Sequence, residues 1–368
     1  MLVLERFTSP PESISTAMAW AIAELAESRG KQGLFTKQSP QRFKVLREHA
    51  LIESAVSSNR IEGVEIEPSR VEPVILGRAA LHDRDEEEVR GYRDALNLIH
   101  TQGSALAVSQ ATIQHLHRLA KPEAWDAGMY KGGDSDIIER YPDGRERVRF
   151  RTVAAAETPV AMHALVTAWD RCQRENWIHP LVALAVFNLD FLCIHPFRDG
   201  NGRVSRLLLL LQSYHLGFEV GRYISIERLI EQNKERYYET LEQSSQGWHE
   251  GNADPWPYVG FVLYVLRSAY REFAQRVGLV KEPRGAKAEL VEEAIASIPQ
   301  DFSVLDLERV CPGVSRDHIR RVLKTLRRQG QVECLGRGPG ALWRRKEGHN
   351  SKRGSKRGSC PSEKRAKR

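Results

Sequence analysis

No stretch of this chain holds 18 consecutive uncharged apolar residues, so nothing in it reads as a membrane-spanning helix. The most apolar run, residues 181–194 (LVALAVFNLDFLCI), is too short to cross a bilayer and contains Asp190. The amino-terminal residues lack the basic-then-apolar layout of a signal peptide. Cysteine is scarce. The five cysteines (Cys172, Cys193, Cys311, Cys334 and Cys360) are odd in number and show no paired spacing. That excludes a disulfide framework and a zinc-finger pattern, and leads to the expectation of reduced thiols in a cytoplasmic protein with no membrane partner. What the C-terminal end lacks is acid. Residues 316–345 hold nine Lys/Arg against two Asp/Glu, and residues 346–368 again hold nine against two. The whole chain is +7, so the first 315 residues are net −7, and a polyanionic partner is expected to meet the C-terminal end. With 368 residues and 41% hydrophobic content, the chain has enough material for two or three domains with a substantial core.

One short segment carries most of the chemistry. Residues 195–206 read His-Pro-Phe-Arg-Asp-Gly-Asn-Gly-Arg-Val-Ser-Arg. Apolar helices are predicted on both sides, over 181–194 and 203–216, with Gly217 as the C-terminal cap of the second. The loop between them therefore runs into a helix N-terminus, where free N–H groups and the helix dipole favour an anion. Gly200 and Gly202, lacking Cβ, let the backbone approach phosphate oxygens. Arg203 and Arg206, three apart, share a helix face and can each grip phosphate oxygens in pairs. Asp199 is a hard oxygen ligand of the kind Mg²⁺ takes, and His195 has the ordinary pKa of a near-neutral base. Phe197 is expected to point inward and anchor the loop. Each element alone is commonplace: a turn, a capping histidine, a solvated arginine pair. Their coincidence at seven constrained positions is not.

In that combination the segment resembles the signature of the Fic family, His-x-Phe-x-(Asp/Glu)-Gly-Asn-Gly-Arg-x-x-Arg, at every constrained position. The resemblance implies a protein AMP transferase that uses ATP and Mg²⁺ and modifies a Ser, Thr or Tyr hydroxyl of a target protein, which can be the enzyme itself. It implies His195 as base, Asp199 as holder of Mg²⁺, and Gly200, Asn201 and Gly202 as the anion cradle. Arg203 would take the β-phosphate and Arg206 the γ-phosphate. Gly202, where the kinases of the superfamily usually have lysine, favours AMP transfer over phosphate transfer.

Three further segments gain meaning beside this one. Ser58-Asn-Arg-Ile-Glu62-Gly63 alone is a polar i,i+4 pair at a helix end; with the first motif it resembles the inhibitory helix of the family. Glu62 would then occupy Arg206, and the same glutamate supports AMP removal in some members. Residues 128–153 contain a Pro-Asp-Gly turn between alternating, β-prone stretches and are predicted to form a hairpin. In the family this flap aligns an extended target segment, with Ile137 and Ile138 as clamp candidates. Tyr237 and Tyr238 resemble the pair flanking the adenine and ribose, although packing in the core or in a homodimer accounts for them equally well. Some relatives carry asparagine where this chain has Ser245.

The fold is therefore expected to be mainly α: a Fic-type helical core with a β-hairpin flap, plus a small C-terminal winged-helix domain. The predicted segments are a helical region at 1–90 with the inhibitory helix, the core at 91–275, a linker at 276–287, a winged helix-turn-helix at 288–345, and a basic disordered tail at 346–368. In the C-terminal module, Ile319, Val322, Leu323 and Leu326 form an apolar stripe on a helix from Ser315, and basic residues cover much of the rest. DNA binding and protein contact both suit such a module. The tail suits either salt-sensitive nucleic-acid contact or mere solubility. Two functions remain open: an autoinhibited AMP transferase, or a DNA-binding regulator whose core senses nucleotide.

Overall fold

The computed structural model describes residues 2–7, 13–36, 40–140, 144–176, 178–279 and 288–346, the last range without 289–290, 293, 296–300, 312–313, 337 and 339–340. Residues 280–287 of the predicted linker lie outside the described residues. So do the Pro-Asp pair of the hairpin turn, Cys360 and all but the first residue of the basic tail.

The chain divides into two compact units, Met1–Val280 and Lys281–Arg368. The first is built almost entirely of helices: α1 (Val3–Arg6), α2 (Thr16–Thr36), α3 (Pro40–Ile61), α4 (Pro68–Ile75), α5 (Arg84–Gln102), α6 (Gln110–Ala120), α7 (Thr158–Glu175), α8 (Pro180–Ile194), α9 (Asn201–His215), α10 (Ile226–Glu231), α11 (Lys234–Ser245) and α12 (Trp256–Leu279). The predicted boundary near residue 90 does not separate two bodies. α3 packs on α5, α9 and α10, and α2 packs on α12, so the N-terminal helices share one core with the rest.

At the centre lies α8, apolar on all sides and buried along nearly its whole length, as a helix surrounded by other helices must be. α7, α9, α11 and α12 pack around it. Its one carboxylate, Asp190, accepts the backbone N–H groups of Val3 (3.0 Å) and Leu4 (2.9 Å) and the indole N–H of Trp248 (2.7 Å). That pins the start of α1 onto the central helix. α9 ends as the sequence predicts, with Gly217 left-handed (φ 78°) just beyond the last turn.

Between α6 and α7 the predicted hairpin forms: β1 (Ile137–Arg140) runs antiparallel to β2 (Glu146–Phe150), with an irregularity in register between Ile137 and Ile138.

The second unit has its own core, in which Val291, Ile295, Phe302 and Leu307 meet the stripe Ile319, Val322, Leu323 and Leu326. Its elements are β3 (Phe302–Ser303), α13 (Val304–Val310), α14 (Arg316–Arg328), β4 (Val332–Cys334) and β5 (Leu342–Arg345). The strands form one antiparallel sheet in the order β3-β5-β4. β3, two residues long, is too short to leave a periodic signal in the sequence.

Candidate active site

α8 stops at His195, which caps it in the left-handed conformation (φ 53°, ψ 60°) while its N–H still reaches Phe191 O (3.0 Å). This region is uncommon for a residue with a Cβ, although histidine is among the side chains enriched there. The chain then turns through Pro196 and buries Phe197, whose ring stacks on His117 at 3.9 Å. Asn201 closes the loop. Its Oδ1 accepts the Phe197 N–H (2.9 Å) and its Nδ2 donates to Phe197 O (2.7 Å). The sequence pattern places Asn201 in the anion cradle; its buried side chain instead shapes the loop, which leaves its backbone N–H to contribute.

α9 begins at Asn201, two residues earlier than predicted, with Gly200 as its N-cap at φ 82°. The first bond of this helix is from Val204 N–H to Gly200 O (3.0 Å). The N–H groups of residues 201–203 are thus the first-turn donors without an intrahelical acceptor, the arrangement that binds anions.

The His195 ring is mostly buried. Its Nδ1 lies 3.3 Å from Leu192 O, so the tautomer that satisfies this contact carries the proton on Nδ1 and leaves the Nε2 lone pair free. Burial pushes its pKa down to about 4, reinforced by Lys131 and opposed by Glu62 and Asp199. The imidazole is therefore neutral at pH 7, as a proton acceptor must be. Cys193 lines the same cavity, but burial raises its thiol well above the ordinary range, which removes it as a nucleophile.

Asp199 is half exposed at 54% of its side-chain area and pairs with the buried Lys121 Nζ at 2.6 Å. Its other oxygen accepts the Gly200 N–H (2.6 Å). Partial burial works against the charge, yet Lys121, Arg203 and that N–H hold the carboxyl below its ordinary range. A half-exposed, ionised carboxylate beside free backbone donors is a fitting ligand for Mg²⁺ bound together with phosphates.

The two arginines behave differently. Arg206 is buried and donates from Nε to Ser58 Oγ (2.9 Å) and from Nη2 to Ser58 O (3.0 Å) and to Glu62 Oε1 (2.8 Å). Its Nη1 is a buried donor with no partner, a group that an anion would satisfy. Arg203 is equally buried; its Nη1 is committed to Glu88 and to Asn59 Oδ1 (3.0 Å), while its Nε is likewise a buried donor with no partner.

The end of α3 explains how Glu62 arrives there. Gly63 N–H bonds Arg60 O (3.1 Å) and Val64 N–H bonds Asn59 O (3.0 Å), the paired bonds of a Schellman cap, with Gly63 left-handed at φ 81°. Glu62 thereby sits at the C-cap and reaches across to α9. A Cβ built on Gly202 would lie 2.3 Å from Glu62 Oε1, so the missing side chain at 202 is what admits the carboxylate.

Glu62, Ile137, His195, Gly202, Tyr237 and Tyr238 all line one cavity, although they span residues 62 to 238 of the sequence. Tyr237 is also a core residue, with its ring 5.7 Å from Phe261 and 6.3 Å from Tyr258. Tyr238 is less buried and faces the Arg149 guanidinium (5.6 Å). Ser245 lines the cavity too, whereas Ile138 is exposed on the flap. Trp256 packs edge-on to Phe7 and Tyr258 donates to Asn188 Oδ1 (2.6 Å), so both are structural.

Sequence reasoning passed over Glu88, Lys121 and Asn59. Glu88 had a usable signal: it falls on the same helical face as Tyr92, Ala95 and Ile99, where a carboxylate is out of place unless paired. Lys121 had none, as it follows the last residue of α6 and joins the site only through the fold.

Residues 107–213 match the family model described as Fic/DOC. A Fic family protein from Desulfovibrio desulfuricans G20 superimposes with a TM-score of 0.60 over 93% of this chain and 99% of that one, at 25% identity. Residues 107–213 therefore form a Fic/DOC domain. Fic-1 from C. elegans shares the fold, with a TM-score of 0.56, 18% identity, and coverage of 72% of this chain and 75% of that one. Among curated proteins, the Fic protein adenylyltransferase of Nematostella vectensis is 23% identical over 214 residues, which is 56% of this chain and 44% of that relative. The namesake from Drosophila grimshawi is 31% identical over 94 residues, covering 26% of this chain and 17% of its own length. The chain thus matches less than half the length of these curated relatives. No helix among the described residues is long and apolar enough to cross a membrane.

Proposed function

We propose that this Fic protein transfers AMP from ATP to a hydroxyl side chain of a target protein, and that α3 restrains the reaction. One observation carries the reading: a neutral imidazole whose Nδ1 is engaged by Leu192 O opens on the same cavity as Gly202 and Glu62, and Glu62 is ion-paired with the buried Arg206. In this reading His195 Nε2 takes the proton of the incoming hydroxyl as its oxygen bonds the α-phosphorus and pyrophosphate departs. Asp199 would hold Mg²⁺, which supplies charge neutralisation of the triphosphate. The N–H groups of residues 201–203 and the spare Nη1 of Arg206 bind phosphate oxygens, and Tyr237 and Tyr238 wall the nucleoside side. Ile137 and Ile138, on the flap, align the target segment by strand addition.

Glu62 occupies the guanidinium that the terminal phosphate needs, so catalysis, which depends on alignment, is suppressed. The same carboxylate beside His195 also suits the reverse reaction, removal of AMP. Incubation with ATP labelled at the α-phosphate is expected to give more modified protein for Glu62→Gly than for the parent, and none for His195→Ala. Equal labelling of Glu62→Gly and parent would refute the inhibitory role.

A second reading concerns the C-terminal unit. α14 buries Ile319, Val322, Leu323 and Leu326 and turns Arg320, Arg321, Lys324, Arg327 and Arg328 to solvent. A helix basic on its free face suits the major groove or a run of phosphates. Mobility shifts with duplex DNA at two salt concentrations test it: binding that weakens steeply with salt is expected, and no shift at low salt excludes it.

A further inference from the structure

A chain of buried ionic contacts runs behind the loop, and its last member is the carboxylate assigned above to Mg²⁺. Lys121 Nζ lies 2.6 Å from Glu88 Oε1 and 2.6 Å from Asp199 Oδ2. Glu88 Oε2 accepts from Arg203 Nη1, which also donates to Asn59 Oδ1 on α3 at 3.0 Å, and Arg84 Nε donates to Glu88 Oε1 at 2.9 Å. Lys121, Glu88 and Arg203 each keep only 2–3% of their side-chain area exposed. Asp199 and Arg84 face outward.

The charges are arranged so that the buried ammonium has two carboxylate partners of unlike character. Glu88 is enclosed and shared among three cations, so it is not available to anything arriving from solvent. Asp199 is accessible, and its Oδ1 already accepts the Gly200 N–H. Its Oδ2 carries Lys121. A cation arriving at Asp199 therefore meets an oxygen that a side-chain cation already holds. Burying that ammonium is tolerable because Glu88 fixes it from the other side; without Glu88 an ion pair at this depth would not repay its desolvation.

We propose that Lys121, fixed by Glu88, is the positioning residue of Asp199: it orients the carboxylate and acts as a built-in competitor for Mg²⁺. The inference rests on the reading that Asp199 holds the metal. Lys121 keeps Asp199 paired while metal is absent and offers a positive charge to metal-free ATP. It opposes the added charge when the metal arrives. Its consequence is a muted dependence of ATP binding on Mg²⁺. Because Arg203 also bonds Asn59, the same ionic chain reaches α3 one residue from Ser58.

The test is the ratio of ATP dissociation constants in EDTA and in saturating Mg²⁺, measured by calorimetry on the full chain in a Glu62→Gly, His195→Ala background that cannot turn over. Lys121→Met is expected to raise this ratio about fivefold, because metal-free ATP loses an attractive charge while the metal loses a competitor. Lys121→Arg, which keeps the charge, is expected to leave it near the parental value. A ratio that stays constant or falls in Lys121→Met overturns the proposal. If Lys121→Met does not fold, the Glu88→Gln, Lys121→Met pair removes both buried charges while the amide oxygen introduced at position 88 still serves Arg203, and the same rise is expected. Asp199→Asn separates the two claims. Collapse of the ratio toward 1 in that variant, with no change in Lys121→Met, rejects the Lys121 role alone. An unaltered ratio in Asp199→Asn rejects Asp199 as the metal carboxylate, and the inference falls with it.

Discussion

His195 combines two properties that rarely meet in one side chain: a left-handed backbone and an imidazole whose pKa burial pushes down to about 4. The first makes a stability prediction. His195→Ala keeps a Cβ at a φ of 53° and His195→Gly does not, so the glycine variant is expected to be the more stable by about 1 kcal/mol, read from chemical denaturation. Both should lack AMP transfer. The second property sets the pH dependence. A base works in its unprotonated form, and a lowered pKa keeps it unprotonated further into acid. In a Glu62→Gly background the rate of AMP transfer is therefore expected to stay level from about pH 8 through 6.5 and to fall only as the pH approaches about 4. A half-maximal rate near the ordinary histidine value, about 6.5, would mean that the imidazole is not held as described. Much of this residue-level picture was legible in the sequence, because the motif packs the candidate base, carboxylate, cradle and arginines into twelve positions. The partners of those side chains were not. Asn201 is one such case: its side chain binds Phe197, since a short polar side chain at a helix start is best satisfied by the loop it closes, and only its backbone N–H is left for the proposed cradle.

At the scale of elements, the contact of Glu62 with Arg206, and with it the proposed inhibition, depends on how α3 ends. The helix must stop at Ile61 for Glu62 to leave its axis and reach Arg206, and the left-handed Gly63 stops it there. Gly63→Ala places a Cβ at φ 81°, where nothing crowds it but the backbone itself disfavours it. The expected cost is about 1 kcal/mol of stability, visible in a denaturant titration, together with AMP labelling above the parent as the cap loosens its hold on Glu62. Full stability with unchanged labelling would show that the cap does not set the position of Glu62. The hairpin is another element whose existence the alternating pattern gave away, while its role depends on placement: Ile137 lines the cavity and Ile138 is exposed, as consecutive side chains of a strand point to opposite faces. The N-terminal helices show the converse. The sequence of α2 carries no sign of a partner, yet α2 packs on α12, and α3 is bound into the core by α5 and α10 as well as by α9, the helix of Arg206.

At the scale of the molecule, two separate hydrophobic cores divide the work. The cavity and every candidate catalytic residue belong to the unit Met1–Val280, and the strongly basic helix α14 belongs to Lys281–Arg368. Because each unit buries its own apolar residues, a chain ending near residue 280 is expected to melt cooperatively and to keep the AMP labelling of the full-length Glu62→Gly variant within a few-fold. A truncated chain that loses labelling while remaining folded would show that the basic unit takes part in the reaction.

The sequence by itself determined the helical class and pointed to the loop at 195–206 and to His195 as the candidate base. Each of these is local, depending on residue types within a turn or two of one another. It also marked the C-terminal unit by charge and periodicity alone. Only the tertiary structure decided which distant groups meet: Glu62 and Ser58 on Arg206, Asn59 on Arg203, and Lys121 between Glu88 and Asp199. The reason is physical. A buried charge is tolerated only beside its counter-charge, and which helix supplies that counter-charge is set by the packing of α3, α5, α6 and α9 rather than by any spacing along the chain.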